Sequence, residues 1–234
     1  MLVLAIETAT QRAAAALVRD GEQLAEWHDE TSEDLCRVLA AEVGDVIARG
    51  GITFSQLDLV AVGLGPGSFT SLRIGLATAK GIALAHGLPL VGVSSLAAMA
   101  WHMRKVVKGL MCPVLDARRG DLYAAIYRAV DDGLERLEAE FADKPEALGA
   151  YLRNMGMVRV FGQLPQETIE RINRAAGKAI AVTVAQVLPS AEAVAELGRR
   201  RLRSLGPDDL AALRPIYVRK SYAEEASHLD LGLR

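Results

Sequence analysis

"LVLAIETATQRAAAALV", residues 2–18, is a short apolar run that ends in an acid, Glu7, and resumes as a second apolar stretch. The turn Asp20-Gly21 then sends the chain back through "GEQLAEWH", so the segment reads as strand, acidic corner and hairpin. The same plan returns at residues 110–130, "LMCPVLDARRGDLYAAIYRAV": an apolar run ending in Asp116, a turn around Arg119-Gly120, and a strand with alternating apolar and polar positions. The two segments share a plan and hardly any identity. They read as an internal duplication, with each of two domains opening on a strand whose carboxyl end carries a carboxylate beside a hairpin.

Between and after these openings, strands alternate with helices. A helix is expected from about Ser32, as N-cap, to Arg49, with Leu35, Val38, Leu39, Val43, Val46 and Ile47 at helical spacing and Gly50-Gly51 as the stop. "LDLVAVG" (57–63) reads as a buried strand, residues 70–86 as a helix ended by Gly87, "PLVGV" (89–93) as a strand and "SLAAMAWHMRKV" (95–106) as a helix. Further on, "VRVFG" (158–162) reads as a strand, Ser190 to Leu205 as a helix stopped by Gly206-Pro207, and "RPIYVRKSY" as a final extended segment. Residues 131–175 carry weaker patterns. The alternation predicts an α/β protein with helices packed on central sheets, divided as an N-terminal domain 1–106, a C-terminal domain 107–220 and a tail or short helix 221–234.

Composition bounds the function. With 27 Lys plus Arg against 29 Asp plus Glu in 234 residues, the net charge of −2 supplies no global field toward nucleic acid or anionic lipid, so any RNA contact is local or made through a partner. Cys36 and Cys112 stand far apart and suggest neither a disulfide framework nor a cysteine zinc site. The start "MLVLAIETATQR" has no signal-peptide pattern, and no apolar run reaches the roughly 20 residues that span a bilayer, so a cytoplasmic location is expected.

The corner "GLGPGSFTSLRIG" (63–75) links a strand to a helix N-terminus, a geometry that suits an anion. It matches neither G-x-x-x-x-G-K-[ST] nor G-x-G-x-x-G, and Pro66 stiffens it; a rigid turn is the competing reading. The helix it launches is apolar nearly all round except for a strip through Arg73 and Lys80. Ser71, Gly75, Ala79 and Ala83, four apart, form a ridge of small residues that lets another helix approach closely; helix 32–49 repeats the device with Ala40, Gly44 and Ala48. Either a partner covers these ridges or the two helices pack on each other. Glu7 and Asp116 are candidates for a metal or nucleotide site, with Arg118 and Arg119 beside the latter, although each acid alone is compatible with an exposed turn. His28, His86, His102 and His228 show no i,i+4 pair, and "RRRLR" (199–203) reads as a solvated helix end.

"LVLAIETAT" (2–10), "GLGPGSFTSLRIGLATAKGIALAHGLPLVGVSSL" (63–96), "VLDARRGDLYAAIY" (114–127) and "RPIYVRK" (214–220) together resemble the TsaB family, formerly YeaZ. The resemblance implies an actin-like (ASKHA, ribonuclease H-like) duplicated fold, two domains each with a central mixed sheet flanked by helices. It implies the dimerisation subunit of the bacterial machinery that places threonylcarbamoyl on the adenosine next to the tRNA anticodon. In that family the chemistry is attributed to a paralogue, TsaD, which carries a metal-binding histidine pair, so this chain is expected to hold no catalytic residue or metal of its own. Implied partners are a TsaD-like catalytic paralogue, a TsaE-like ATPase, a second copy of the chain when alone, and tRNA only within the complex; ATP or ADP is implied only at the interface with the catalytic partner.

The resemblance puts the partner face on Ala40, Gly44, Ala48, Ser71, Arg73, Gly75, Thr78, Ala79, Lys80 and Ile82. It leaves Glu7, Thr8, Thr10, Gly65, Gly67, Ser68, Asp116 and Arg118 as nucleotide or shared-cleft candidates. Glu7 stands where relatives often have Asp, Ser71 where many have Gly, and "DETSEDLCRVL" (29–39) lacks a histidine many relatives place there. Two other readings are an ATP-dependent phosphotransferase using Glu7 and Asp116, and a metallopeptidase.

Overall fold

The computed structural model describes residues 1–30, 34–131, 133–177, 180–182 and 187–218. Its elements are β1 (Leu2–Glu7), β2 (Ala13–Arg19), β3 (Glu22–Asp29), α1 (Leu35–Arg49), β4 (Leu59–Gly63), α2 (Phe69–His86), β5 (Leu90–Val93) and α3 (Ser95–Met103). They continue as β6 (Leu110–Asp116), β7 (Leu122–Val130), β8 (Gly133–Asp143), α4 (Pro145–Arg153), β9 (Val158–Phe161), α5 (Gln166–Ala176), β10 (Ile180–Val182) and α6 (Ala191–Leu205).

The first sheet has the order β3-β2-β1-β4-β5 and the second, read the same way, β8-β7-β6-β9-β10. In each, the opening strand pairs antiparallel with its hairpin neighbour and parallel with the fourth strand: Glu7 lies opposite Ala14 and Ile6 beside Val62, Asp116 opposite Leu122 and Leu110 beside Val158. This repetition is what the two quoted openings encode. The fully buried runs of β1 and β4 follow from helices on both faces of the sheet.

Local chemistry sets the helix ends. Ser68, Ser94 and Ser190 cap α2, α3 and α6 by accepting from the backbone N–H three residues on, and Gly87 closes α2 in the left-handed conformation at φ 63°. Helix α1 begins at Leu35; its expected cap, Ser32, lies outside the described residues, as do Arg219, Lys220 and the tail from 221. The segment 131–175 resolves into β8, α4, β9 and α5.

The packing runs across the expected domain division. Helices α1 and α2 cover the outer face of the first sheet, and α4 and α5 that of the second, but the third helix of each unit crosses to the other. Helix α3 lies on β6, β7 and β8, burying Leu96, Met99 and Ala100 with Met111, Leu115 and Tyr127; α6 lies on β1, β2, β4 and β5, with Ala191, Val194 and Ala195 against Val3, Ala61 and Val91. Gly198 makes the α6 approach possible, since a Cβ there would sit 2.7 Å from Ala61 Cβ. The units 1–106 and 107–220 therefore interlock, because each sheet needs its inner apolar face covered and the covering helix comes from the far half.

Residues 208–216 also belong to the first unit. The Asp208 N–H donates to Leu90 O at 2.9 Å and the Ile216 N–H to Leu64 O at 2.8 Å. The Asp208 carboxylate accepts from the Gly92 N–H at 2.8 Å and from both terminal nitrogens of Arg201. Burial raises the pKa of that carboxyl, and the Arg201 and Gly92 bonds outweigh it, leaving the pKa lowered. Asp208→Ala is expected to cost about 2 kcal/mol in urea unfolding, the scale of hydrogen bonds to a charged group, with no change in the slope against urea.

Candidate functional site

The carboxyl ends of β1 and β4 meet the start of α2 and α3. Glu7 is wholly buried there. Its Oε1 accepts from the Ala9 N–H at 2.7 Å and its Oε2 from the Ser95 hydroxyl at 2.8 Å. Ser95 Oγ in turn accepts from the Gly65 N–H at 3.2 Å, and the Ser95 N–H donates to Gly65 O at 2.8 Å. Gly63 supplies the room, because a Cβ on it would lie 2.2 Å from Glu7 Oε2. Burial pushes the Glu7 carboxyl up to about 7, against the lowering pull of the Ala9, Ser95 and Thr8 hydrogen bonds.

Thr8 is equally buried and donates to Ser71 O at 2.9 Å. Thr10, half-buried, donates to Arg12 O at 3.1 Å. The glycine corner closes on this strand end: the Ser68 N–H donates to Ala9 O at 2.8 Å, and a Cβ on Gly67 would meet that same oxygen at 2.1 Å. Gly65 has φ 91°, which only glycine adopts without strain, and the Gly65-Pro66 bond is cis. Ser68 Oγ lies 2.9 Å from Ser71 Oγ. Glu7, Thr8, Gly65 and Gly67 thus form a joint between β1, α2 and α3 filled by the chain's own groups, while Ser68 at the start of α2 stays exposed.

Asp116, the duplicated acid, is exposed and accepts from the Arg118 N–H at 2.8 Å. Arg118 and Arg119 take positive φ of 64° and 55° to make the tight turn, so their side chains stay outside while Asp121 is buried and paired with Lys144 at 2.6 Å. The two acids that the duplication relates are not brought to one cleft in equivalent states: one is sealed, the other caps its own turn.

The small-residue ridges also separate. On α2, Ser71, Gly75, Ala79 and Ala83 are buried, and a Cβ on Gly75 would sit 2.3 Å from Thr8 Oγ1. This corrects the expectation that the Gly75 ridge meets a partner; it is the face that docks on the chain's own sheet. Arg73 and Lys80 are likewise engaged at home: Arg73 stacks 3.8 Å from the Phe69 ring and donates to the Tyr217 hydroxyl at 3.0 Å, while Lys80 donates to Leu213 O at 2.9 Å. Thr78 bonds back to Ile74 O, and Ile82 packs half-buried on the first core.

The exposed face of α2 is the ridge two residues away, Ala77, Gly81 and Ala85, with Leu84 77% exposed. Beside it, in contact with α2, α1 exposes Ala40 and Ala48, with Gly44 partly covered. A Cβ on either Gly44 or Gly81 would meet nothing within 4 Å. Sequence reasoning missed Ser95 as the partner of Glu7 and the Ala77-Gly81-Ala85 ridge; the second was visible as the same i,i+4 spacing.

Among the described residues, no group of His, Cys, Asp and Glu is placed to hold a metal ion, and no helix is long and apolar enough to cross a membrane. The family model that matches residues 29–227 is described as TsaD, tRNA N6-adenosine threonylcarbamoyltransferase. Among curated relatives, the tRNA threonylcarbamoyladenosine biosynthesis protein TsaB of Escherichia coli is 37% identical over 150 residues, 62% of this chain and 64% of that protein. The Bacillus subtilis protein of the same name is 29% identical over 228 residues, covering 96% of both. The alignment thus spans somewhat under two thirds of the E. coli relative and nearly all of the B. subtilis one. Among solved structures, YeaZ from Pseudomonas aeruginosa superposes with a TM-score of 0.78 at 24% identity, over 92% of this chain and 99% of that one. A ROK hexokinase from Thermus thermophilus does so at 0.55 and 13% identity, over 87% and 100%, a likeness of fold alone.

Proposed function

The chain belongs to the family described as TsaD, tRNA N6-adenosine threonylcarbamoyltransferase, in its TsaB (YeaZ) branch, and from that premise we propose that it is a non-catalytic subunit of a tRNA threonylcarbamoyladenosine-forming complex. In this reading it binds and activates a TsaD-like paralogue through the exposed faces of α1 and α2, and pairs with a second copy through the same faces when alone. A TsaE-like ATPase joins the complex, tRNA is engaged within it, and the whole is cytoplasmic. Any ATP or ADP belongs to the catalytic partner or the shared surface, since the Gly65–Ser68 corner is packed on Ala9.

The observation that carries the proposal is a difference between the two copies of the duplicated unit. In the second, α4 and α5 close on each other through Gly149, where a Cβ would lie 2.5 Å from Ile172 O. In the first, the corresponding helices present Gly44 and Gly81 to open space, next to the exposed Leu84. A helix face of small residues costs helix propensity, about 1 kcal/mol per glycine relative to alanine, and gives nothing back until another helix packs on it. The non-catalytic part rests on Glu7 being sealed behind Gly63 and Ser95, out of reach of a substrate.

The double variant Gly44→Arg/Gly81→Arg tests the face. It is expected to melt at or above the wild-type temperature, because arginine is the better helix former and both sites have room. It is expected to lose about 2 kcal/mol or more of association, roughly 30-fold in Kd, with itself and with the TsaD-like partner on size-exclusion chromatography. Reconstituted threonylcarbamoyl transfer to tRNA should fall in parallel. Full-strength pairing by the variant removes α1 and α2 from the interface.

A further inference from the structure

The inner face of the β2–β3 hairpin and the start of α6 enclose a cavity that neither the Glu7 joint nor the α1–α2 face uses. Ala14 and Ala16 make its floor, their methyl groups too short to fill the space between β2 and α6, and the strand register sets Glu26 opposite Ala16. Ser190 and Glu192 close it from the α6 side. Arg12 enters from the turn before β2, with its backbone carbonyl held by the Thr10 hydroxyl at 3.1 Å. The cavity volume is about 60 Å³, room for about four to six water-sized groups at roughly 10–15 Å³ each.

The charges lining this cavity are unmatched. Arg12 Nε is buried and has no hydrogen-bond partner, a state in which native chains rarely leave a donor unless a water or a ligand meets it. Glu26 and Glu192 line the same cavity, and among the described residues no ion pair joins either of them to Arg12. A helix start accounts for Glu192, since an acid in the first turn suits the dipole, and an edge strand accounts for the exposed Glu26. Neither accounts for an arginine whose Nε is sealed and unpaired beside them. The Arg12 fork is joined by the N–H groups of the first turn of α6, which a helix leaves without an internal partner. A phosphate would gain from these donors and be repelled by the two carboxylates, and a simple amine would meet the reverse.

We propose that the cavity binds the head group of a free α-amino acid, with its carboxylate on Arg12 and the start of α6 and its ammonium on Glu26 and Glu192. The ammonium, the α-carbon and the carboxylate of such a ligand amount to about five water-sized groups, which fits the volume. Gln23 and His28, both exposed, form the rim toward which the ligand's side chain leaves. The site lies on the face of the sheet opposite α1 and α2, and binding is read on the isolated chain, so it stands or falls independently of partner pairing.

Isothermal titration calorimetry on the full chain tests it, with glycine, L-alanine and L-serine as probes against L-lactate, ethylamine and inorganic phosphate, which carry charge of one sign only. Saturable binding of at least one of the three amino acids is expected, with a Kd on the order of 1 mM and at least about tenfold tighter than any single-sign probe. Arg12→Gln should weaken it by about tenfold or more, and Arg12→Lys, which keeps the charge and loses the fork, by less. Glu26→Gln/Glu192→Gln should weaken the amino acid by about tenfold while tightening L-lactate, because the repulsion is gone; general loss of structure does not produce that crossed response. Arg174→Gln, exposed on α5 of the other unit, should match the wild type. The crossed response of the glutamine pair carries the test should Arg12→Gln melt early. No saturation by any of the three amino acids up to about 20 mM, phosphate or ethylamine binding as tightly as they do, or full-strength binding by a folded Arg12→Gln would each overturn the proposal.

Discussion

Gly75→Phe is expected to leave the chain unfolded or melting far below the wild type. A Cβ at that position would stand 2.3 Å from Thr8 Oγ1 and 3.1 Å from Thr8 Cγ2 before any ring is added. Thr8 has no exposed surface, and moving it breaks its bond to Ser71 O, leaving a buried hydroxyl unpaired. Even Gly75→Ala should cost about 1–3 kcal/mol as overpacking, and a phenylalanine must separate α2 from the end of β1 altogether. Against the total of roughly 5–15 kcal/mol typical of a folded domain, that separation decides whether the chain folds. Gly81→Phe, six residues along the same helix and on its exposed side, should fold within about 1 kcal/mol of the wild type, since nothing lies within 4 Å of its added Cβ. Comparable thermal melts for the two phenylalanine variants would refute the orientation of α2.

The contrast between Gly75 and Gly81 marks how far the sequence could be read. The duplicated strand-acid-hairpin plan and the helical periodicities made the opening hairpin of each unit and the helices α1, α2, α3 and α6 legible, because those signals are local; the order of the strands within each sheet was not. Which of two small-residue ridges on α2 faces inward was not a local signal: Ser71-Gly75-Ala79 and Ala77-Gly81-Ala85 have the same spacing on a helix apolar nearly all round. The sheet below decides it, through Thr8 at the end of β1, a contact 67 residues away in sequence. The crossing of α3 and α6 was hidden for the same reason. Both were placed correctly along the chain, yet their covering of the opposite sheet is set by which inner face lacks a lid. Arg73 and Lys80 read as a free polar strip because their partners, Tyr217 and Leu213 O, come from the far end of the chain. A carboxylate at a strand end is equally legible as a ligand or a joint until its surroundings are known; Ser95 and Gly63 make Glu7 a joint.

That joint has a measurable charge. The Glu7 carboxyl is raised from 4.5 to about 7 by burial, so between those values the folded chain keeps a proton that the unfolded chain releases. With fewer protons bound in the unfolded state, stability falls as pH rises through this window; it is greatest below 4.5 for this group and level again above 7. A shift of that size corresponds to about 3 kcal/mol lost across the window. Asp208 acts in the opposite sense at lower pH, its pKa lowered, so its stabilisation is present above the ordinary carboxylate range and fades on acidification. The two effects are separated by Glu7→Gln. The amide keeps an oxygen for the Ala9 N–H and can donate to Ser95 Oγ, while carrying no charge at any pH. Its urea stability is therefore expected to lack the decline between pH 4.5 and 7, and to exceed the wild type by about 2–3 kcal/mol at pH 8, where the wild type carries a buried charge with no cation against it in this joint. A variant weaker than the wild type at pH 8 would mean that Glu7 is ionised to the folded state's advantage, and that its neighbourhood is more polar than Gly63, Ser95 and the Ala9 N–H make it.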